Sequence, residues 1–64
     1  MEAYQQRVIE EKKDLDEKLN RLDEFIMLNP NYPILPQDEK DRLIRQLRHM
    51  GEYSIVLGER IAAF

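Results

Sequence analysis

Tyr4, Arg7 and Val8 stand within two helical turns near the start of the chain, and two of them can recognise a small ligand. The Tyr4 ring offers a stacking platform for a base. Arg7, one turn further on, can hydrogen-bond a phosphate or a base edge. Lys18 lies fourteen residues after Tyr4, roughly 21 Å along the same helix. One small ligand cannot touch Tyr4 and Lys18 of a single chain. It can do so where two protomers place opposite ends together. A plainer alternative fits the same residues: Tyr4 as a hydrophobic staple and Lys18 as a solvated partner of Asp14.

Arg60 is a second candidate. It lies between Gly58 and Ala62, beside a stripe of small residues. Several copies around a symmetry axis would form a ring of guanidinium groups that repels itself unless an anion or Glu59 compensates. The alternative is a surface ion pair with Glu59 or Asp23. His49 is the only histidine, and the chain has no cysteine. Nothing pairs it with a nucleophile at local spacing, so a solvated or interface histidine is expected. Glu10, Glu11, Asp14, Asp16 and Glu17 are read as the charged outer face of an amphipathic helix, not as metal ligands. No enzyme, metal site or cofactor is expected.

These side chains must be held by helices. Residues 2–28 contain no Gly or Pro, and Val8, Leu15, Leu19, Leu22 and Ile26 recur at spacings of seven, four, three and four. The spacing predicts a helix over about 2–28. Lys12 fills the gap in its seam, where its stem would cover apolar surface while its charge stays wet. Asp14→Lys18 and Glu17→Arg21 are candidate i,i+4 pairs, each worth about 0.2–0.5 kcal/mol. Residues 29–37 form a linker, because Asn29-Pro30, Tyr32-Pro33 and Leu35-Pro36 each push the residue before proline out of the helical region. Ile34 and Leu35 are expected to fold back over the open end of the helix pair. A second helix is predicted over about 38–63, with Asp38 and Glu39 near the positive end of its dipole.

The second helix carries two stripes. Leu43, Leu47, Met50, Ser54, Leu57, Ile61 and Phe64 make a heptad seam broken only by Ser54. Ile44, Arg48, Gly51, Ile55, Gly58 and Ala62 make another beside it. One partner helix covers one stripe. The fold class is therefore all-α: an antiparallel two-helix hairpin, one domain over 1–64, assembling into a homo-oligomeric helical bundle.

Size and charge support this reading. A chain of 64 residues buries a small core. Below about 70–80 residues a fold usually needs a disulfide, a metal or a partner subunit. Disulfides are excluded, which leaves oligomerisation. Thirteen acidic residues against ten basic ones, a formal charge of -3, oppose binding to a DNA or RNA polymer through a general basic surface. Arg42, Arg45 and Arg48 recur every three residues but have Asp38, Asp41 and Glu52 nearby to neutralise them. No apolar run is long enough to span a bilayer, and Met1-Glu2-Ala3-Tyr4 lacks the features of a secretory leader. No membrane partner is expected, and a cytoplasmic location is.

The chain resembles a family of very small phage proteins. The first helix carries the resemblance in Tyr4-x-x-Arg7-Val8-x-x-Glu11-x-x-x-Leu15-x-x-Lys18-x-x-x-Leu22-x-x-Phe25. The second carries it in Gln46-Leu47-x-x-Met50-x-x-Tyr53-x-x-x-Leu57-x-x-Arg60-Ile61. The family includes the type-2 anti-CBASS proteins, sponges for the cyclic oligonucleotides with which a bacterial antiphage system signals. The resemblance implies a homohexamer of helical hairpins in the infected host cell. It implies that cyclic dinucleotides, such as cGAMP, are sequestered between protomers without being cleaved, with cyclic trinucleotides at separate sites. By position, Tyr4 would stack on a base, Lys18 would pair with a phosphate, and Arg7 and Val8 would line that pocket. Arg60 with Ala62 would form the trinucleotide site. Two other readings remain: an adaptor that docks a partner helix on the Gly51/Gly58 stripe, and a small DNA-binding regulator using Arg42, Arg45 and Arg48.

Overall fold

A residue with no glycine or proline near it has little reason to leave a helix once its apolar positions find a partner. That condition holds for the first helix, while the second runs through Gly51 and Gly58 because its apolar seam is packed. A computed structural model describes all residues, Met1 to Phe64. It shows two helices of equal length, α1 (Ala3–Leu28) and α2 (Gln37–Ala62). They pack side by side and antiparallel in a hairpin measuring 46 × 15 × 13 Å.

The helix ends follow local chemistry. At the start of α1, the Gln5 side-chain oxygen accepts a hydrogen bond from the Glu2 N–H at 2.9 Å, closing one orphan donor. At its end, Asn29 is extended, with ψ 126°, as the following Pro30 requires. The Asn29 side chain then accepts from the Asn31 N–H at 2.8 Å. Two successive turns follow, closed by Tyr32 N–H to Asn29 C=O and Leu35 N–H to Tyr32 C=O, both 3.1 Å. Pro36 caps α2 with its backbone still extended, and Asp38 and Glu39 occupy the first turn.

The linker differs from expectation in one respect. Leu35 is half-buried, but Ile34 is 77% exposed and does not fold back over the helix pair. The loop is closed instead by Tyr32, whose ring meets Phe25 edge-on with centroids 6.2 Å apart. Three prolines leave the chain too stiff to turn Ile34 inward as well.

The core is narrow. Val8 (5% exposed), Ser54 and Leu57 (0%) are the three buried residues. Leu15, Leu19, Leu22 and Ile26 of α1 and Leu43, Leu47, Met50 and Ile61 of α2 are half-buried along the same seam. The predicted seams therefore face each other. Beside them, Ile44, Ile55 and Val56 stay exposed, Ile55 at 65%. Ile44, Arg48, Ile55 and Ala62 of the second α2 stripe are left exposed by the hairpin. Its two glycines differ: a Cβ at Gly51 would meet nothing within 4 Å, while one at Gly58 would lie 3.5 Å from the Lys12 stem. The stripe is thus approached at Gly58 by the chain's own lysine and is open at Gly51.

Candidate functional site

The break in the heptad seam is where the two helices are pinned. The Ser54 hydroxyl donates to an Asp16 carboxylate oxygen and accepts from the Lys12 ammonium at 2.8 Å. Lys12 also pairs with Asp16 at 2.9 Å. Every polar atom of this triad has a partner, and no buried side-chain nitrogen or oxygen in the chain lacks one. The bond from Ser54, then the bond from Lys12, holds the Asp16 carboxyl below the usual aspartate range; partial burial opposes this. The Lys12 side chain stays 30% exposed, as the seam pattern implies, and Ser54 and Asp16 take two of the three donors of its ammonium.

The surface ion pairs anticipated on α1 do not form. Neither Asp14 with Lys18 nor Glu17 with Arg21 closes to within 4.0 Å, and the single α1 pair is Lys12–Asp16. An exposed pair gains little against the entropy of ordering two long side chains. On α2, Arg42 and Arg48 find acidic partners, whereas Arg45 makes no ion pair and Asp41 accepts a hydrogen bond from Gln37 instead. Arg42 pairs with Glu39 at 2.9 Å and with Asp38 at 3.4 Å, and these partners raise its pKa, Glu39 first. Arg48 reaches Glu52 at 4.0 Å, and exposed His49 lies 3.6 Å from the same carboxylate. Arg7, Lys18 and Arg60 make no ion pair, so the pairing of Arg60 with Glu59 or Asp23 is also absent.

Because Ser54 faces α1, its neighbours Tyr53 and Ile55, each about 100° round the helix, fall on opposite flanks. The Tyr53 flank forms a groove of about 470 Å³ with α1. Arg7 and Lys18 stand along it, with Leu15 and the Tyr53 ring as its apolar part and Glu10, Glu11 and Asp14 as its acidic part. Its volume lies in the range of small-molecule sites, about 300–1,000 Å³. Two cations face three carboxylates, so the lining carries a net negative charge within one chain. A second groove, of about 520 Å³, lies at the loop end beside Arg21, Phe25 and Pro30.

The hairpin therefore brings together Arg7 and Lys18 of the sequence-derived set, and not the rest. Tyr4 lies outside the groove, half-exposed, with its ring edge-on to Phe64 at 6.0 Å. Val8 is buried in the seam and does not line the groove. Arg60 and Ala62 are exposed near the C-terminal end of α2. Tyr53, which spacing passed over, lines the groove. Its signal was available: it falls on neither apolar stripe of α2. No three His, Asp or Glu side chains converge to hold a metal ion, and no helix is long and apolar enough to cross a membrane.

A family model described as Sequestin matches residues 2–63, both helices and the loop between them. The chain belongs to the Sequestin family. The Sequestin name is consistent with a sequestering, non-catalytic role. No curated protein and no solved structure matches the chain.

Proposed function

We propose that this Sequestin-family protein is a phage anti-defence sponge. It binds cyclic dinucleotide messengers, and cyclic trinucleotides at a second site, and keeps them intact and away from the effectors of CBASS immunity. The observation that carries the reading is the Sequestin match over residues 2–63, which spans the positions of the anti-CBASS resemblance in both helices. The unpaired cations Arg7 and Lys18 in one groove support it, since a ligand phosphate would meet them without first displacing a protein carboxylate.

The active form in this reading is a homo-oligomer, a hexamer. The exposed stripe of Ile44 and Ile55, on a hairpin with three buried residues, supports assembly. Assembly also resolves the separation of Tyr4 from Lys18, since Tyr4 of one protomer can face Lys18 of another. Tyr4 would stack on a base, with Arg7 beside it and Val8 beneath; Arg60 and Ala62 would serve the trinucleotide. No bond is made or broken, so each copy acts stoichiometrically. A rigid pocket formed before the ligand arrives lowers the ordering cost of binding.

Calorimetry against a panel of cyclic di- and trinucleotides tests this directly. The expected result is tight binding, with the ligand recovered chemically unchanged after denaturation. Tyr4→Ala should lose dinucleotide binding while light scattering still shows the oligomer. Failure of every cyclic nucleotide to bind would end the proposal.

A further inference from the structure

Five aromatic rings are present, and four of them are paired. Tyr4 meets Phe64 and Phe25 meets Tyr32, each edge to face. Tyr53 alone has no aromatic partner, and its hydroxyl makes no hydrogen bond within the hairpin. It is 44% exposed and sits in the groove that holds Arg7 and Lys18. Its backbone is not free to move away. Ser54, the next residue, is tied to Lys12 and Asp16, and Leu57, one turn on, is fully buried.

That tie also sets the axial position of the ring. Ser54 bonds to both Lys12 and Asp16, so Tyr53, on the antiparallel helix, stands near the level of Asp14 and Leu15 on α1. Arg7 lies seven to eight residues to one side and Lys18 three to four to the other, about 11 Å and about 5 Å along the helix axis. A ring stacked on Tyr53 is therefore flanked by one free cation in each direction. The arrangement matches a planar heteroaromatic group with anionic groups on both sides of it. Glu10, Glu11 and Asp14 accept hydrogen bonds and repel bare anions. They suit the N–H groups of a base and disfavour a phosphate that arrives without one.

We infer that Tyr53 is a ligand-stacking residue, and that the groove it forms with Arg7 and Lys18 takes the base of a nucleotide whose phosphates reach the two cations. The inference rests on the sequestration reading above and adds to it a stacking surface on α2 that Tyr4 does not supply.

The test is titration of the full chain with a guanine- and adenine-containing cyclic dinucleotide, comparing the parent with Tyr53→Leu and Tyr53→Phe. Base stacking on an aromatic side chain corresponds to about five- to 150-fold in affinity. Tyr53→Leu should weaken binding within that range, and Tyr53→Phe, which keeps the ring, should stay within about threefold. Inorganic pyrophosphate should not compete. Should Tyr53→Leu unfold, the parent with ring-labelled tyrosine decides by NMR: ligand must shift the Tyr53 ring resonances, assigned through Tyr53→Phe. A parent that binds while Tyr53→Leu binds equally, or while the Tyr53 resonances stay still, overturns this inference and leaves sequestration standing. A parent that binds no cyclic nucleotide overturns both. Competition by pyrophosphate would show that charge alone occupies the groove and would overturn the role of the ring.

Discussion

Replacing Ser54 with alanine removes one oxygen from the seam and leaves Lys12 and Asp16 with one hydrogen bond fewer each. A hydrogen bond to a charged group contributes about 1.5–3 kcal/mol when its loss strands the partner. Here the partners keep their own pair at 2.9 Å, and their side chains are 30% and 40% exposed, so water reaches both. Solvent replaces most of what is lost, and the expected cost of Ser54→Ala is about 1–2 kcal/mol. For a domain of this size, that is a fall in midpoint temperature of about 4–16 °C. The assay is urea and thermal unfolding followed by helical circular dichroism at fixed protein concentration, because assembly makes stability concentration-dependent. Proton linkage gives a second readout. The Asp16 carboxyl is depressed in the fold, so its contribution is present above the unfolded aspartate value and is lost as pH falls through the lower folded value. The gap between parent and Ser54→Ala should therefore be full near neutrality and shrink below about pH 4. A cycle with Asp16→Asn should show coupling of at least about 0.5 kcal/mol. An unchanged midpoint, or a gap that persists unaltered into strong acid, would refute the polar pin.

Other substitutions separate seam from surface. Leu57→Ala empties the one fully buried side-chain site and should cost about 2–5 kcal/mol, seen as loss of most helical signal at temperatures where the parent is folded. Gly51→Ala adds a methyl where nothing lies within 4 Å and should raise hairpin stability by about 0.5–1 kcal/mol; a drop in oligomer mass by light scattering instead would show that another chain packs there. Gly58→Ala, with the Lys12 stem at 3.5 Å, meets only ordinary contact and should stabilise by a similar amount, with a midpoint below the parent's counting against the structure. Ile55→Glu places charge on the exposed stripe and should shift the mass distribution towards smaller species while leaving helicity intact if that stripe is an interface.

Much of the hairpin could be read directly from residue order. Freedom from Gly and Pro over 2–28, the three X-Pro steps and the two apolar periods account for α1, the linker and α2 to within a residue or two. They do so because helix formation and termination are local: each depends on residues within a turn or two. The exposure of Ile34 was missed because the pattern marks an apolar residue without showing whether a stiff loop can turn it inward.

Periodicity also placed each seam around its own helix axis, but it says nothing of how far one helix slides along the other. That offset is decided by the Lys12–Asp16–Ser54 contacts, whose members lie 38 and 42 residues apart in the chain. Only once it is set does Tyr53 come to lie between Arg7 and Lys18, while Tyr4 is carried to the far end against Phe64. Residue order alone determined two helices, their turn and their facing stripes. Which flank gathers free cations around an unpaired ring was settled by the packing, because axial register is a property of the pair and of neither helix alone.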